Sequence, residues 1–390
     1  MTSKQLFIRS YIEKIKSIQM NILDYIDDDE NKEENYQNFI SLINESNTLK
    51  NKYKIEQILL LILKIANNHH RSSNFFSKIE QILLFFKDSI KQNFSNIELF
   101  EIFKKQKRLL LFFFKEKMIE MDQVIYHKMT TNQLNSQYNY TIYFFNEMEP
   151  FINKDKAKSL EDKIPQNSEE LRKSGNNDSN VCQFIQKDSL ADFISHVNNS
   201  QMKLSSKVKH SEYETNSFLI KNNPSIIEYA AFYGSIEIFK YLSEKVELKP
   251  SIYLYAIHGR NMEIVHLLEQ NKVEPQDKSY KEIIKEAIKC HHNEMTQYYI
   301  DHFIKEKDQM KESIVEFGFH YHNYSFLPDE KFNDNKAAFI SACKYGYSEL
   351  VEMFLKKKVV NSNISIISYI PHFNRVSNLS FTHIIFFLNF

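Results

Sequence analysis

The sequence predicts an all-α protein, a helical-repeat solenoid preceded by an N-terminal helical array. The first observation is a run that recurs in weakened form. Setting Ala256 on Ala230 places Met262 to Leu268 on Ile236 to Leu242, and Pro250-Ser251-Ile252 on Pro224-Ser225-Ile226, an offset of 26 residues. A further 31 residues bring Ala287, Glu294 and Tyr298-Tyr299 to the same slots, and 55 more bring Ala342, Gly346 and Glu349 to Phe354. Self-similarity at about this period marks stacked helical pairs, because no single unit can bury its apolar face alone. The second observation is the content of the unit. Ile226, Ile227, Ala230 and Ala231 form one stripe, with alanines small enough for a neighbouring helix to approach, and Gly234 follows as a stop. The third is helical spacing of apolar residues in the first half of the chain.

In order along the chain, Ile8, Tyr11, Ile12, Ile15, Ile18, Ile22 and Ile26 predict a helix over Lys4 to Ile26, with Ser3 as its cap and the acidic turn Asp27 to Glu30 as its end. Helices are also expected at Tyr36 to Ile43, Ile55 to Ala66, Phe75 to Ile90 and Ile97 to Ile119. The hexapeptide Ile-Glu-Gln-Ile-Leu-Leu at 55 to 60 returns at 79 to 84, as paired helices would allow. Residues 153 to 180 hold few large apolar side chains and read as a polar linker. The expected domains are thus 1–152 (helical, repeat-like), 153–180 (linker), 181–358 (repeats) and 359–390, a tail of unassigned structure. Between His302 and Lys331 there is room for an insertion or for one more, eroded unit, with Gly318 and Pro328 as breakers.

Lys plus Arg and Asp plus Glu are equal at 50 each, so no global charge draws the chain to nucleic acid or an anionic membrane. Cys182, Cys290 and Cys343 are isolated and odd in number, which fits a reducing compartment better than a disulfide framework. The start lacks the apolar core of a secretory signal, and the runs Ile58 to Leu63 and Leu109 to Phe114 are far short of the roughly 18 residues that cross a bilayer. A cytoplasmic protein is expected, with the nucleus as the other compartment. The five glycines, Gly175, Gly234, Gly259, Gly318 and Gly346, are scattered, so there is no phosphate loop or dinucleotide fingerprint. Neither a Gly-x-Ser-x-Gly elbow nor a His-Glu-x-x-His helix occurs. No enzyme and no cofactor is expected.

Cys290-His291-His292, with His320 and His322, is the most metal-like cluster, but adjacent helical residues diverge and zinc-module spacings are missing. It reads as a helix-to-turn junction, as does His69-His70. Lys104-Lys105-Gln106-Lys107-Arg108 reads as a solvated turn between two apolar helices; its functional alternative is a nucleic-acid or membrane-surface adaptor. Asp27 to Glu30 lacks the spaced ligands and glycine of a calcium loop.

Asn335-Lys336-Ala337-Ala338-Phe339-Ile340-Ser341-Ala342-Cys343-Lys344-Tyr345-Gly346 with Glu349-Leu350-Val351 resembles the ankyrin repeat: turn, Ala pair, glycine and Glu-Ile-Val. The units are degenerate. Ala337 and Ile340 replace the family's threonine and histidine, and Arg260 and His291 take the glycine slot. The stretch from Val181 to Ile300, with Glu214 to Ile220 and Tyr255 to Gly259, is also similar to a large protist family of ankyrin-containing proteins with a domain of unknown function, and so are Ala66 to Ser72 and Asn74 to Ile79. The ankyrin resemblance implies a concave groove read by the turn before the first helix and by the two residues after the Ala-Ala pair, here Phe232 and Tyr233, His258 and Gly259, Lys289 and Cys290, Lys344 and Tyr345. The expected function is a protein-protein interaction scaffold for an unidentified protein partner, with no small-molecule substrate. Phe232, Tyr233 and Tyr345 would be its aromatic anchors. An enzyme whose residues converge from distant helices is the rival expectation.

Overall fold

The computed structural model describes residues 3–46, 48–131, 140–305, 307–327 and 336–356, and the tail 359–390 lies outside them. Among the described residues there are 23 α-helices and no strand, only an isolated bridge between Lys207 and Ser225. The chain forms two compact units, one of residues 65–295 and one of residues 1–64 with 296–390.

Most expected helices form with longer ends: Ser3–Asp27, Lys32–Glu45 and Lys52–Asn68. Two of them are divided. The stretch Phe75 to Ile90 becomes Phe75–Phe85 and Lys87–Asn93, breaking at the buried Phe86. Ile97 to Ile119 becomes Asn96–Phe103, opened by a Ser95/Glu98 capping box, and Lys107–Lys115.

The unit of residues 65–295 contains stacked helix pairs. Asn180–Gln186 is followed by Leu190–Ser200, Ile226–Tyr233 by Ile236–Ser243, Ile252–Gly259 by Met262–Gln270, and Lys281–Lys289 begins the next pair. The first helices pack in series, and the second helices do the same behind them. Ala230, Ala231, Ala256 and Ala287 lie fully buried in this stack. A methyl group on Gly259 would stand 2.2 Å from the Ala231 carbonyl oxygen, so two successive units meet backbone to backbone there. Polar links also join the layers. Asp188 accepts from the Glu237 and Ile238 N–H groups at 3.0 Å, Asn261 donates to the Gly234 carbonyl at 3.0 Å, and Ser251 donates to Glu228 at 2.6 Å.

One backbone device recurs at the turns between the paired helices of residues 180–356. Asp188, Gly234, Arg260, His291, His322 and Gly346 are all left-handed, with φ of 49, 66, 50, 60, 56 and 79°. At five of them the next residue's N–H reaches five residues back, as Ser189 to Phe184, Ser235 to Ala230, His292 to Ala287, Asn323 to Gly318 and Tyr347 to Ala342, all at 2.9 to 3.1 Å. This is the Schellman closure of a helix end. Arg260 and His291 therefore occupy the glycine slot in conformation as well as in sequence. Asp188 and His322 reveal two units that the alanine pattern alone did not show. The second answers the question of the segment between 302 and 331: Lys307–Tyr321 is a repeat's first helix, packed on Lys336–Lys344, and its second helix has shrunk to the 3-10 turn Tyr324–Phe326.

The other unit joins sequence-distant ends. Ser3–Asp27 packs against Lys32–Glu45, the Tyr324–Phe326 turn and Ser348–Lys356. Gln19, fully buried, donates to Asn323 at 2.9 Å and accepts from the Tyr324 N–H at 2.5 Å. Its amide thus completes an eroded repeat from the far end of the chain.

The compact units divide at 64/65 and 295/296 and not at 152 or 180, while the expected limit at 358 lies outside the described residues. Residues 153–180 carry the helices Lys154–Glu161 and Ser168–Ser174 inside the first-described unit, and Arg172 is buried. Its guanidinium holds both Glu147 oxygens at 2.5 Å and Glu169 at 2.5 Å, while the Tyr143 hydroxyl donates to its carbonyl at 2.7 Å. A composition poor in apolar residues is packed here by ion pairing, which a polarity profile does not register.

Candidate functional site

Each expected groove position can now be placed. Phe232, His258, Gly259 and Cys290 are buried, so they are corrected from partner-reading residues to core residues. Tyr233 and Lys289 are half-covered, Lys344 is exposed and Tyr345 is partly exposed. The burial has one cause. Within residues 65–295 the chain's own segments lie over the slots: the Phe218 ring, from the helix Ser217–Asn222, stands 4.2 Å from His258 and 6.1 Å from Phe232. Lys289 lies over the same ring at 5.3 Å. Tyr233 reaches Asn176 at 3.3 Å, and the His69 ring bonds the Cys290 carbonyl through Nδ1 at 2.8 Å.

Beneath this cover His258, Glu286, Lys289 and Cys290 form a continuous polar chain. His258 Nε2 lies 2.7 Å from Glu286 Oε1, to which Lys289 also donates at 2.6 Å. The Cys290 sulfur lies 3.5 Å from His258 Nδ1. Burial, helped by the Lys289 charge, holds His258 below the usual imidazole pKa despite the pull of Glu286. Burial also lowers His292, reinforced by His69, Arg260 and His70, and it raises the Cys290 thiol. Glu286 moves down to about 2: burial opposes this, but Lys289 and His258 outweigh it. His258 also meets the Asn68 backbone, so the Cys290 sulfur, the Glu286 carboxylate and that backbone group share its two ring nitrogens. A protonated buried thiol is a poor nucleophile.

The metal-like cluster is rearranged rather than assembled. Cys290 meets His258 and Glu286, with ligand atoms within 4.8 Å of one another, while His292 turns to the Ile257 carbonyl at 2.8 Å. His258 faces Cys290 with one ring nitrogen and Glu286 with the other, and Lys289 occupies the carboxylate. These residues fit a hydrogen-bonded chain and not a shared ion. His320 and His322 belong to the other unit, where His320 stacks on Tyr345 at 4.7 Å and His322 on Tyr347 at 5.1 Å.

The basic turn is also corrected. Lys107 and Arg108 are buried, Arg108 ion-paired with Glu80 at 2.5 Å and donating to the Lys173 carbonyl at 2.6 Å. Lys107 donates to the Glu212 carbonyl at 3.3 Å, and burial brings its pKa down to about 8 against the pull of Glu212 and Glu214. Only Lys105 of the run is exposed, and Lys104 pairs with Glu101 at 2.5 Å. Among the described residues no helix is long and apolar enough to cross a membrane.

Sequence reasoning named Lys344 and Tyr345 but missed Glu316 and His320 beside them. Lys344 donates to Glu316 at 2.7 Å, the Tyr345 hydroxyl reaches the same oxygen at 3.1 Å, and the Tyr345 ring lies flat on His320. The unit ending at His322 supplies Glu316 and His320, and its left-handed turn was the signal that could have revealed it. No protein-family model, no curated protein and no solved structure matches this chain.

Proposed function

We propose that this chain is a non-enzymatic protein-binding scaffold built on degenerate ankyrin-type units, with Lys344, Tyr345 and His320 as its open slot residues. The reading is supported by one observation above all: the same left-handed closure stands four residues beyond Ala230, Ala256, Ala287 and Ala342. It brings the two residues just before it to an equivalent place in each unit. In residues 65–295 those places are filled by the chain itself, which narrows the surface for a partner to the slot pair that stays accessible. Tyr345 is rigid there, clamped by His320 and Glu316, so little side-chain entropy would be lost on contact. A tyrosine beside a lysine suits a partner offering an apolar face flanked by acidic residues.

The test is affinity capture with the full chain, comparing the unaltered protein with Tyr345→Ala and Lys344→Glu. The expected result is a protein recovered by the first and lost from both variants, with unchanged helix content by circular dichroism. Identical recovery from all three would remove the slot assignment.

A further inference from the structure

The unit of residues 65–295 contains a cavity of about 490 Å³ that none of the roles above uses. Its size is that of small-molecule sites in general. The excursion 201–216 forms one side and the helix Ser217–Asn222 the other, with Val208, Leu219 and Pro224 as apolar walls. At its inner end sits Glu214, whose side chain is only 6% exposed. Oε1 accepts the Asn216 N–H at 2.8 Å and faces Arg71 at 3.9 Å; the Thr215 and Asn177 N–H groups also approach the carboxylate, but Oε2 makes no hydrogen bond of full geometry and keeps capacity to accept. Ser211, also buried, accepts the Tyr213 N–H at 3.1 Å through its hydroxyl oxygen and keeps its own proton to offer.

The mouth has the opposite character. Lys209, His210 and Lys221 line it, all exposed, and none has an ion-pair partner among the described residues. Asn177 fixes one of them by donating to the Lys209 carbonyl at 2.7 Å.

An incompletely satisfied acceptor inside and two unpaired ammonium groups beside an imidazole outside ask for a ligand with hydrogen-bond donors at one end and an anion at the other. Arg71 already balances the Glu214 charge, so the inner end calls for a neutral donor and not for a cation. Apolar walls suit the face of a ring. We propose that this cavity binds a phosphomonoester of a hydroxylated ring, its hydroxyls toward Glu214 and Ser211 and its phosphate toward Lys209, His210 and Lys221. Sugar phosphates and nucleoside monophosphates share that chemistry. A binding function of this kind is separate from the scaffold surface at Lys344 and stands or falls without it.

Isothermal titration of the full chain with ribose 5-phosphate, AMP, adenosine and inorganic phosphate tests it. Saturable binding of at least one phosphorylated compound is expected below millimolar concentration, and preference between the two says which source the site takes. Adenosine and inorganic phosphate should each bind about tenfold weaker or worse, since each satisfies one end only. The double variant Lys209→Glu/Lys221→Glu, altered only at exposed positions, should lose binding by about tenfold or more while keeping the same melting temperature, and added salt should weaken the unaltered protein. Glu214→Gln and Ser211→Ala should weaken the phosphorylated ring without changing the response to inorganic phosphate; Ser211→Ala serves if the first variant fails to fold. Absence of saturable heat with both phosphorylated compounds, inorganic phosphate binding as well as they do, or an unchanged affinity in the lysine double variant would each overturn the proposal.

Discussion

Gly259 and Arg260 stand side by side and carry opposite constraints. Gly259 has an ordinary backbone conformation but no room for a Cβ, which would meet the Ala231 carbonyl oxygen at 2.2 Å. Gly259→Ala should therefore destabilise the protein by about 3 kcal/mol, the upper part of the overpacking range, measured by urea denaturation. Arg260 is exposed and holds a left-handed φ of 50°, where a side chain costs about 1 kcal/mol relative to glycine. Arg260→Gly is expected to raise the denaturation midpoint, by about 0.5 to 1 kcal/mol of stability, although it deletes a charged side chain. Phe232 tells where sequence reasoning stopped. Its slot was legible from the alanine two residues before it, but its cover, Phe218 and His258, comes from other units, and side-chain burial across a stack is not written in local spacing. Phe232→Ala should then act on folding, costing about 3 kcal/mol or more, instead of selectively weakening a partner.

At the scale of the element, the first helices of the stack are held by polar groups as well as alanines. His258 on Ile252–Gly259 and His292 beyond Lys281–Lys289 are both neutral in the folded protein, with pKa values below the ordinary 6.5. Unfolding frees them to take protons. Their contribution to stability is hence complete well above pH 6.5 and is lost as pH falls from 6.5 toward their folded values. Glu286 works in a lower window: its pKa is about 2 when folded, so its share persists above 4.5 and disappears between 4.5 and 2. Thermal melts should show a falling midpoint between pH 7 and 5, and a steeper loss below 4.5. His292→Gln should flatten the upper part of that curve. A midpoint constant from pH 7 to 5 would contradict neutral, buried imidazoles. Helix positions were readable because apolar spacing sets them. The turn at Lys104 to Gln106 was readable too, from its run of polar residues, whereas the break at Phe86 was not, since apolar residues continue across it and packing alone decides where the axis changes.

For the whole molecule, the all-α class was legible from repetition, and the division into units was not. Gln19 and Asn323 are far apart in sequence, and nothing in either local pattern announces that they share a hydrogen bond. The stretch 153–180 misled for a related reason: Arg172 is a core residue whose solvation is replaced by Glu147, Glu169 and an aromatic face. Arg172→Met should cost several kcal/mol, because it leaves Glu147 at the edge of the core without its partner. The same logic predicts a different outcome at Lys107, whose buried ammonium is only weakly compensated. Lys107→Met should be neutral or stabilising in a thermal melt, and affinity for a nucleic-acid duplex should not depend on it.

The left-handed closure at Asp188, Gly234, Arg260, His291, His322 and Gly346 has a consequence for how such a chain can change over generations. Because each turn resets the direction of the backbone by its own three or four bonds, the distance from one turn to the next is not fixed by the stack. Insertions and deletions between turns are thereby absorbed locally, so relatives should differ in the length of these intervals far more than in the residues flanking each reset.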